Sequence, residues 1–211
     1  MRFSASRGIL TRAPKSEGAS TTRHSSGFEQ FCTMLQNSSD LSILDMSGAS
    51  QANVSFITGY GHRISSDDAL GTMQTCFGAD FFSNQQAASN AHRFLEQTLT
   101  FPDETFDGAL VWDTLQFLIP PLLEDTVAKL LRVMRPGALL LAFFNSDEKR
   151  AQVPLYNYRI QDSKTLAQTP RGGLQRAQYF NNRVLERLFE RASSLKFFLT
   201  RGAQREVIVR K

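Results

Sequence analysis

The sequence lacks the features that mark several classes of protein. Its 211 residues include two cysteines, Cys32 and Cys76, without a Cys-x-x-Cys pair, and its three histidines lack metal-ligand spacing, so neither a disulfide framework nor a metal site is indicated. The longest apolar run, Ala138–Phe144, has seven residues, whereas a membrane-spanning helix needs roughly 20. A chain disordered throughout is excluded, because 41% of the residues are hydrophobic. A nicotinamide-dependent oxidoreductase is disfavoured by the absence of a Gly-x-Gly-x-x-Gly motif.

The net charge of +4 lies in the first 27 residues rather than across the chain. This segment holds five basic residues, one acidic residue and nine serines or threonines without an apolar period, so 1–27 is predicted to be a disordered basic leader. The same composition leaves an organellar transit peptide open as an alternative to a cytoplasmic location. The other 184 residues carry equal numbers of basic and acidic groups, so neither a nucleic-acid partner nor a membrane contact is expected.

The next part of the chain has the pattern of a strand, a turn of small residues, a helix and a second strand. Leu41–Asp45 is predicted as a buried strand, Ser47–Ser50 as the turn and Gln51–Thr58 as the helix. His62–Ser66 is predicted as the second strand, and the acidic pair Asp67–Asp68 follows it. This order is typical of a βαβ unit in a parallel sheet.

Later segments predict that the same sheet continues. Asp107–Trp112 and the wholly apolar Ala138–Phe144 are predicted as parallel strands, and Pro121–Val133 as the helix between them. A further strand is expected to be reduced to the short run Leu99–Phe101. The body is therefore predicted to be built around one parallel sheet.

Two predicted hairpins complete the architecture. Leu195–Thr200 and Glu206–Val209 are joined by a short turn, which predicts an antiparallel pair at the end of the sheet. The predicted fold is one α/β domain over 28–211, with a Rossmann-like, doubly wound, mostly parallel sheet closed by this C-terminal antiparallel hairpin. The other hairpin, at 151–178, is predicted as an insertion that is either a lid over the site or a solvated pair of strands. Its basic and aromatic residues are Tyr156, Tyr158, Arg159, Lys164, Arg171 and Arg176.

Three stretches together resemble a known family. Leu44–Ser50 is similar to the Asp-x-Gly-x-Gly-x-Gly motif after the first strand, and Phe101–Leu118 is similar to the stretch around the fourth strand. Leu131–Leu141 is similar to the helix, Pro-Gly turn and fifth strand that follow. In this order and spacing, Leu41–Lys211 resembles the class I S-adenosylmethionine-dependent methyltransferases of the type 11 group.

The resemblance implies methyl transfer from S-adenosylmethionine to a small-molecule acceptor, which is positioned next to the cofactor sulfonium. The small residues of the turn would let the backbone approach the cofactor, and Asp68 would accept both ribose hydroxyls. Asp113, after the fourth strand, is the candidate catalytic residue, with a helix N-cap as its structural alternative. For Asp45, hydrogen bonding within the turn is favoured over contact with a ligand. The candidate cofactor-binding residues are Asp45, Ser47, Gly48, Ala49, Ser50, Asp68 and Trp112.

Other features keep a second function open. Three glycines of the family motif are replaced by Ser47, Ala49 and Gln51, which permit positive φ and close approach less readily than glycine does. Phe117 stands where many members have histidine, and no residue is identified that would meet the adenine. For Trp112, a place in the apolar core is the alternative to lining the cofactor pocket. The second function is a catalytically inactive, methyltransferase-like binding or scaffold module with a protein partner.

Overall fold

The computed structural model describes residues 20–200 and 203–211 of the chain. None of the helices in that part is long and apolar enough to cross a membrane. The strands are β1 (Thr21–His24), β2 (Ser42–Asp45), β3 (Arg63–Ser66), β4 (Phe106–Trp112), β5 (Met134–Asn145), β6 (Gln152–Ile160), β7 (Thr165–Arg176), β8 (Ser194–Leu199) and β9 (Gln204–Arg210). The helices are α1 (Ser26–Gln36), α2 (Gln51–Gly59), α3 (Ala69–Phe77), α4 (Phe81–Asn84), α5 (Ala88–Gln97), α6 (Pro120–Val133) and α7 (Asn182–Leu188), with a 3-10 helix at Thr114–Phe117.

The larger of the two sheets has the strand order β3-β2-β4-β5-β9-β8. Strands β3, β2, β4 and β5 are parallel, whereas β9 is antiparallel to both of its neighbours, β5 and β8. Strand β4 and the apolar part of β5 are buried almost throughout, because helices or other strands cover both faces. The predicted α/β fold, with a mostly parallel sheet closed by an antiparallel hairpin, is confirmed.

This sheet separates two apolar clusters. Ala109 and Val111 of β4 pack with residues of α3, α5 and α6 on one face. The alternate residues Leu110 and Trp112 pack with residues of α1, α2 and β6 on the other face, because successive side chains of a strand point in opposite directions. Strand β6, which belongs to the hairpin at 151–178, therefore shares an apolar core with helices α1 and α2.

The strand predicted at Leu99–Phe101 is wrong. Leu99 has a φ of +56°, and its N–H donates to the Asp67 carboxylate at an N···O distance of 2.6 Å. This N–H is not available for a strand ladder, so the chain passes from α5 to β4 without adding a strand. Within the described residues, β3 is consequently an edge of the larger sheet.

The smaller sheet has the order β1-β7-β6. Strands β6 and β7 form an antiparallel hairpin that lies within 151–178, and β1 pairs antiparallel with the other side of β7. A segment from the start of the chain thus completes a sheet whose other strands come much later.

The prediction of a disordered leader over 1–27 is wrong for its last residues, which form β1 and the start of α1. Residues 1–19 lie outside the described residues. The physical reason for the ordered part is Glu206 of β9, a fully buried carboxylate that needs hydrogen-bond donors. The leader supplies three of them: the guanidinium of Arg23, the hydroxyl of Ser25 and the N–H of Gly27.

Candidate functional site

The turn after β2 is organised around the buried side chain of Asp45. Its carboxylate accepts hydrogen bonds from the N–H and hydroxyl of Ser47 at 3.0 and 2.8 Å, from Asn53 Nδ2 at 2.6 Å and from Trp112 Nε1 at 2.7 Å. Burial raises the pKa of Asp45, and these four donors act in the opposite direction. With its oxygens engaged in this way, Asp45 fixes the turn and α2, which favours the structural role over contact with a ligand.

Beside this turn lies a space of about 490 Å³, here called the loop cleft. Ser47–Ser50 form part of its lining, as does Asp68 at the start of α3, so the structure brings these predicted residues together. Gly48 has a φ of +82°, and a Cβ added there would lie 3.2 Å from Asp68 Cβ, so glycine suits this close approach. Gln51 and Ala52 of α2 also line the cleft, and the hairpin contributes Asn157, Tyr158, Arg159 and Arg171.

Within the loop cleft, Asp68 forms a bidentate ion pair with Arg171 of β7. Arg171 Nη1 and Nη2 donate to Asp68 Oδ1 and Oδ2 at 2.6 and 2.7 Å. Oδ1 also accepts from the N–H of Gly71 at 2.9 Å, because Asp68 is the N-cap of α3. Burial acts to raise the pKa of Asp68, but Arg171 and the Gly71 N–H outweigh it and hold this pKa below its ordinary value. Asp68 is therefore ionised, with 45% of its side chain exposed.

Trp112, predicted to bind the cofactor, does not line the loop cleft. Its side chain is buried, and its ring stacks on that of Tyr158 with 5.1 Å between the centroids and 2° between the planes. Its φ of +56° is uncommon for a residue other than glycine. The stacking and the hydrogen bond to Asp45 hold this conformation, which leaves Trp112 in the core.

A second space, here called the Asp113 cavity, has a volume of about 670 Å³. Asp113 is 1% exposed and occupies the N-cap position of the 3-10 helix, yet its side chain makes no capping hydrogen bond. Its Oδ1 has no hydrogen-bond partner among the residues that the structure describes. The capping alternative for Asp113 is therefore not supported by the geometry. The polar side chains that line the cavity with it include Arg23, Gln116, Asn145, Gln168 and Gln204.

The electrostatic setting of Asp113 suits proton transfer. Burial raises the pKa of Asp113 to about 7, while the nearby Tyr158 hydroxyl and Arg23 guanidinium act to lower it. A carboxyl with such a pKa gains and loses its proton near neutral pH, as a general base must. Arg23 is itself paired with Glu206, so the cation adds little net charge to the cavity.

Tyr158 lies between the two spaces. It is part of the lining of the loop cleft, and its hydroxyl accepts hydrogen bonds from the amides of Gln168 and Gln204 at 3.2 and 3.1 Å. Both amides belong to residues that line the Asp113 cavity. Asn53 fixes the adjacent backbone of β6, because its side chain donates to the carbonyl of Tyr158 at 3.2 Å and accepts from the N–H of Ile160 at 2.8 Å. The hairpin thus provides the wall between the cleft and the cavity.

Two features of the site were not predicted from the sequence. The sequence indicates Arg171 only as one charged residue of the hairpin, because its partner Asp68 lies 103 positions away. Arg23 falls in the predicted disordered leader, and its partner Glu206 lies 183 positions away. Asn53 lies in the predicted helix Gln51–Thr58, and nothing in its sequence surroundings indicates that it is fully buried.

No protein-family model matches the sequence, and no curated protein matches it. Solved structures do match the fold. A SAM-dependent (S-adenosylmethionine-dependent) methyltransferase from Methanosarcina mazei aligns with a TM-score of 0.52 at 15% identity, covering 85% of this chain and 96% of that one. A protein from Pyrococcus horikoshii aligns with a TM-score of 0.50 at 13% identity, covering 87% of each chain. The chain therefore has the Rossmann-like fold of the class I S-adenosylmethionine-dependent methyltransferases, as the resemblance implied.

Proposed function

We propose that this protein catalyses methyl transfer from S-adenosylmethionine to a small-molecule acceptor. The observation that carries the proposal is the pair of neighbouring spaces, the loop cleft with Asp68 and the cavity with Asp113. Both lie where β2, β4 and β5 end, and open α/β sheets bind their ligands at the carboxyl ends of the strands. The fold is also that of a SAM-dependent methyltransferase from another organism.

The residues of the loop cleft fit the nucleoside end of this cofactor. The volume of about 490 Å³ falls within the range of roughly 300–1,000 Å³ that is usual for small-molecule sites. The turn Ser47–Ser50 has only small side chains, so a ligand can approach its backbone. The carboxylate of Asp68 is ionised and partly exposed, and a carboxylate can accept hydrogen bonds from two ribose hydroxyls at once.

When bound, S-adenosylmethionine supplies a methyl group already activated on a sulfonium, so the protein contributes chiefly by positioning. The carboxylate of Asp113, which lines the cavity, would accept a hydrogen bond from the acceptor's N–H or O–H. It would also take up the proton that this group loses. Because the pKa of Asp113 is about 7, the ionised form that performs this role increases as the pH rises through neutrality.

The lining of the Asp113 cavity indicates the type of acceptor. Val153, Pro154 and Tyr156 give it an apolar wall, and Asp113 and Gln116 give it polar groups. A volume of about 670 Å³ holds a drug-sized molecule. Most of the other lining residues are polar or charged, so we infer an acceptor with both polar and apolar parts and one protic nitrogen or oxygen as the atom that is methylated.

A catalytically inactive binding module is the second candidate function, and three observations favour it. Both carboxylate oxygens of Asp68 are held by Arg171, and the buried side chain of Tyr158 lies between the cleft and the cavity. The turn also has Ser47 and Ala49 in place of motif glycines. The two functions differ in whether bound cofactor loses its methyl group.

The first test is calorimetric titration of the purified protein with S-adenosylmethionine and with its demethylated product, S-adenosylhomocysteine. We expect micromolar binding that falls at least tenfold in Asp68→Asn, which removes the charge and one acceptor oxygen. Asp125→Asn, on the exposed surface of α6, is the matched control and should bind like the wild type.

The outcomes separate the candidates. Absence of binding at millimolar cofactor would refute the cofactor site and the methyltransferase proposal together. Where binding occurs, incubation of methyl-labelled cofactor with a panel of phenols and amines tests transfer, and we expect Asp113→Asn to abolish it while leaving cofactor binding intact. Binding without transfer to any acceptor would favour the inactive module.

A further inference from the structure

Three contacts hold the hairpin to the rest of the domain near the loop cleft, and they differ in how readily a ligand can replace them. The amide of Asn53 and the stacked ring of Tyr158 are almost fully buried, so these two contacts are the harder ones for a ligand to replace. The ion pair between Arg171 and Asp68 is different, because the two side chains are 22% and 45% exposed. It is the contact at which a ligand arriving from solvent can compete with the hairpin.

Arg171 lies in a β-bulge rather than in the regular ladder. Between the paired positions on either side, the three residues Arg171–Gly173 of β7 face the single residue Leu155 of β6. Gly172 has a φ of +96°, and a Cβ added at Gly173 would meet no atom within 4 Å. A bulge redirects side chains, and here it directs Arg171 into the cleft. Its unpaired residues can also change conformation without breaking the ladder hydrogen bonds of β6 and β7.

The ion pair between Arg171 and Asp68 engages the two carboxylate oxygens that would bind the ribose of the proposed cofactor. Asp68 accepts from Arg171 through both oxygens, and Oδ1 also accepts from the N–H of Gly71. A ribose diol bound in two-pronged fashion requires the same two oxygens. The guanidinium and the diol are therefore competitors for one carboxylate.

We propose that Arg171 is a latch that holds the hairpin to Asp68 and is displaced when the ribose of the cofactor binds there. This inference rests on the proposed function, since it concerns how the cofactor enters the loop cleft. Displacement of Arg171 frees the bulged segment of β7. The hairpin then loses this attachment to the start of α3, and the same hairpin carries Tyr158, which lies between the cleft and the cavity. Cofactor binding and loosening of the hairpin are thus coupled in this proposal.

The test is calorimetric titration of the full chain with S-adenosylhomocysteine in the wild type, in Arg171→Gln and in Lys164→Gln. Lys164 is exposed at the turn of the same hairpin and does not line the loop cleft, so its substitution controls for the loss of one positive charge. We expect Arg171→Gln to bind about 3- to 10-fold more tightly than the wild type, since a partly exposed pair is broken at modest cost. Lys164→Gln should change the affinity less than twofold.

A second measurement follows the hairpin itself. Amide hydrogen exchange at residues 171–174 should become faster when the wild type is saturated with S-adenosylhomocysteine, and should already be fast in unliganded Arg171→Gln. Exchange that slows on binding would mean that Arg171 clamps the ligand, which overturns the latch.

Each affinity result either supports or overturns the latch. Tighter binding by Arg171→Gln than by the wild type, with the affinity of Lys164→Gln unchanged, would support it. Equal affinity in the wild type and Arg171→Gln, weaker binding by Arg171→Gln, or equal tightening in Lys164→Gln would overturn the latch while leaving the cofactor site in place. No binding by the wild type at millimolar concentration would overturn the proposed function and the latch together.

Discussion

Replacement of Glu206 by glutamine should destabilise the protein strongly. The Glu206 carboxylate is fully buried and accepts hydrogen bonds from Arg23, from the hydroxyl of Ser25 at 2.9 Å and from the N–H of Gly27 at 2.7 Å. Glutamine preserves the volume, but its NH2 group would face other donors, and Arg23 is only 17% exposed. Removing one partner of a buried ion pair costs about 3–5 kcal/mol, because the other charge is left without compensation.

Such a loss is large against the total free energy of unfolding, which is about 5–15 kcal/mol for a typical domain. Urea denaturation can be followed through the fluorescence of Trp112, which is the only tryptophan of the chain and is buried. The double variant with Arg23→Met should regain part of the loss, because no unpaired cation then remains. Glu124→Gln on the exposed face of α6 should change the stability by less than about 0.5 kcal/mol. A loss below about 1 kcal/mol in Glu206→Gln would refute the reasoning, since it would mean that the anchored segment contributes little.

Two further predictions concern stability. The folded pKa of Asp113 is about 7 against an ordinary value of 3.8, so between these values the folded state retains a proton that the unfolded state has lost, and stability falls as the pH rises. Asp113→Asn should therefore leave stability unchanged near pH 4 and raise it by a few kcal/mol, at most about 4, above pH 7; a gain independent of pH in denaturation curves would contradict this. A Cβ at Gly108 would lie 2.8 Å from Phe31 Cζ, so Gly108→Ala should cost about 1–3 kcal/mol. Gly59→Ala, where a Cβ would meet nothing within 4 Å, should cost nothing by the same measurement, and equal losses would show that packing is not the cause.

The parts of the fold that follow from local patterns could be predicted. The apolar run Ala138–Phe144 and the turn Ser47–Ser50 are each defined by residues that are close in sequence. The run forms part of strand β5, and the turn lines the loop cleft, as predicted for both. The strand at Leu99–Phe101 failed because its apolar residues are compatible with a strand, whereas the structure uses the N–H of Leu99 for the carboxylate of Asp67. A side-chain acceptor from another segment overrode the local preference there.

The site was predictable only in part, for a related physical reason. Asp68 and Asp113 follow strands that end at the same edge of the sheet, so the order of elements alone brings them to the ligand-binding side. The partners of such residues depend on tertiary packing. Nothing near Arg171 in sequence indicates that a bulge directs it to Asp68, and nothing near Arg23 indicates a buried acceptor on β9.

The position of β9 has a consequence for synthesis on the ribosome. This strand is made after all the other described elements, yet it lies inside the larger sheet between β5 and β8. It also carries Glu206, which holds the segment before α1, and Gln204, whose amide donates to Tyr158 of the hairpin. A nascent chain that has not yet produced β9 leaves the apolar β5 with an unpaired edge, which is a surface open to wrong pairing and aggregation. Completion of the sheet, anchoring of β1 and bracing of the hairpin are therefore late and simultaneous events, and truncation within β9 would remove all three.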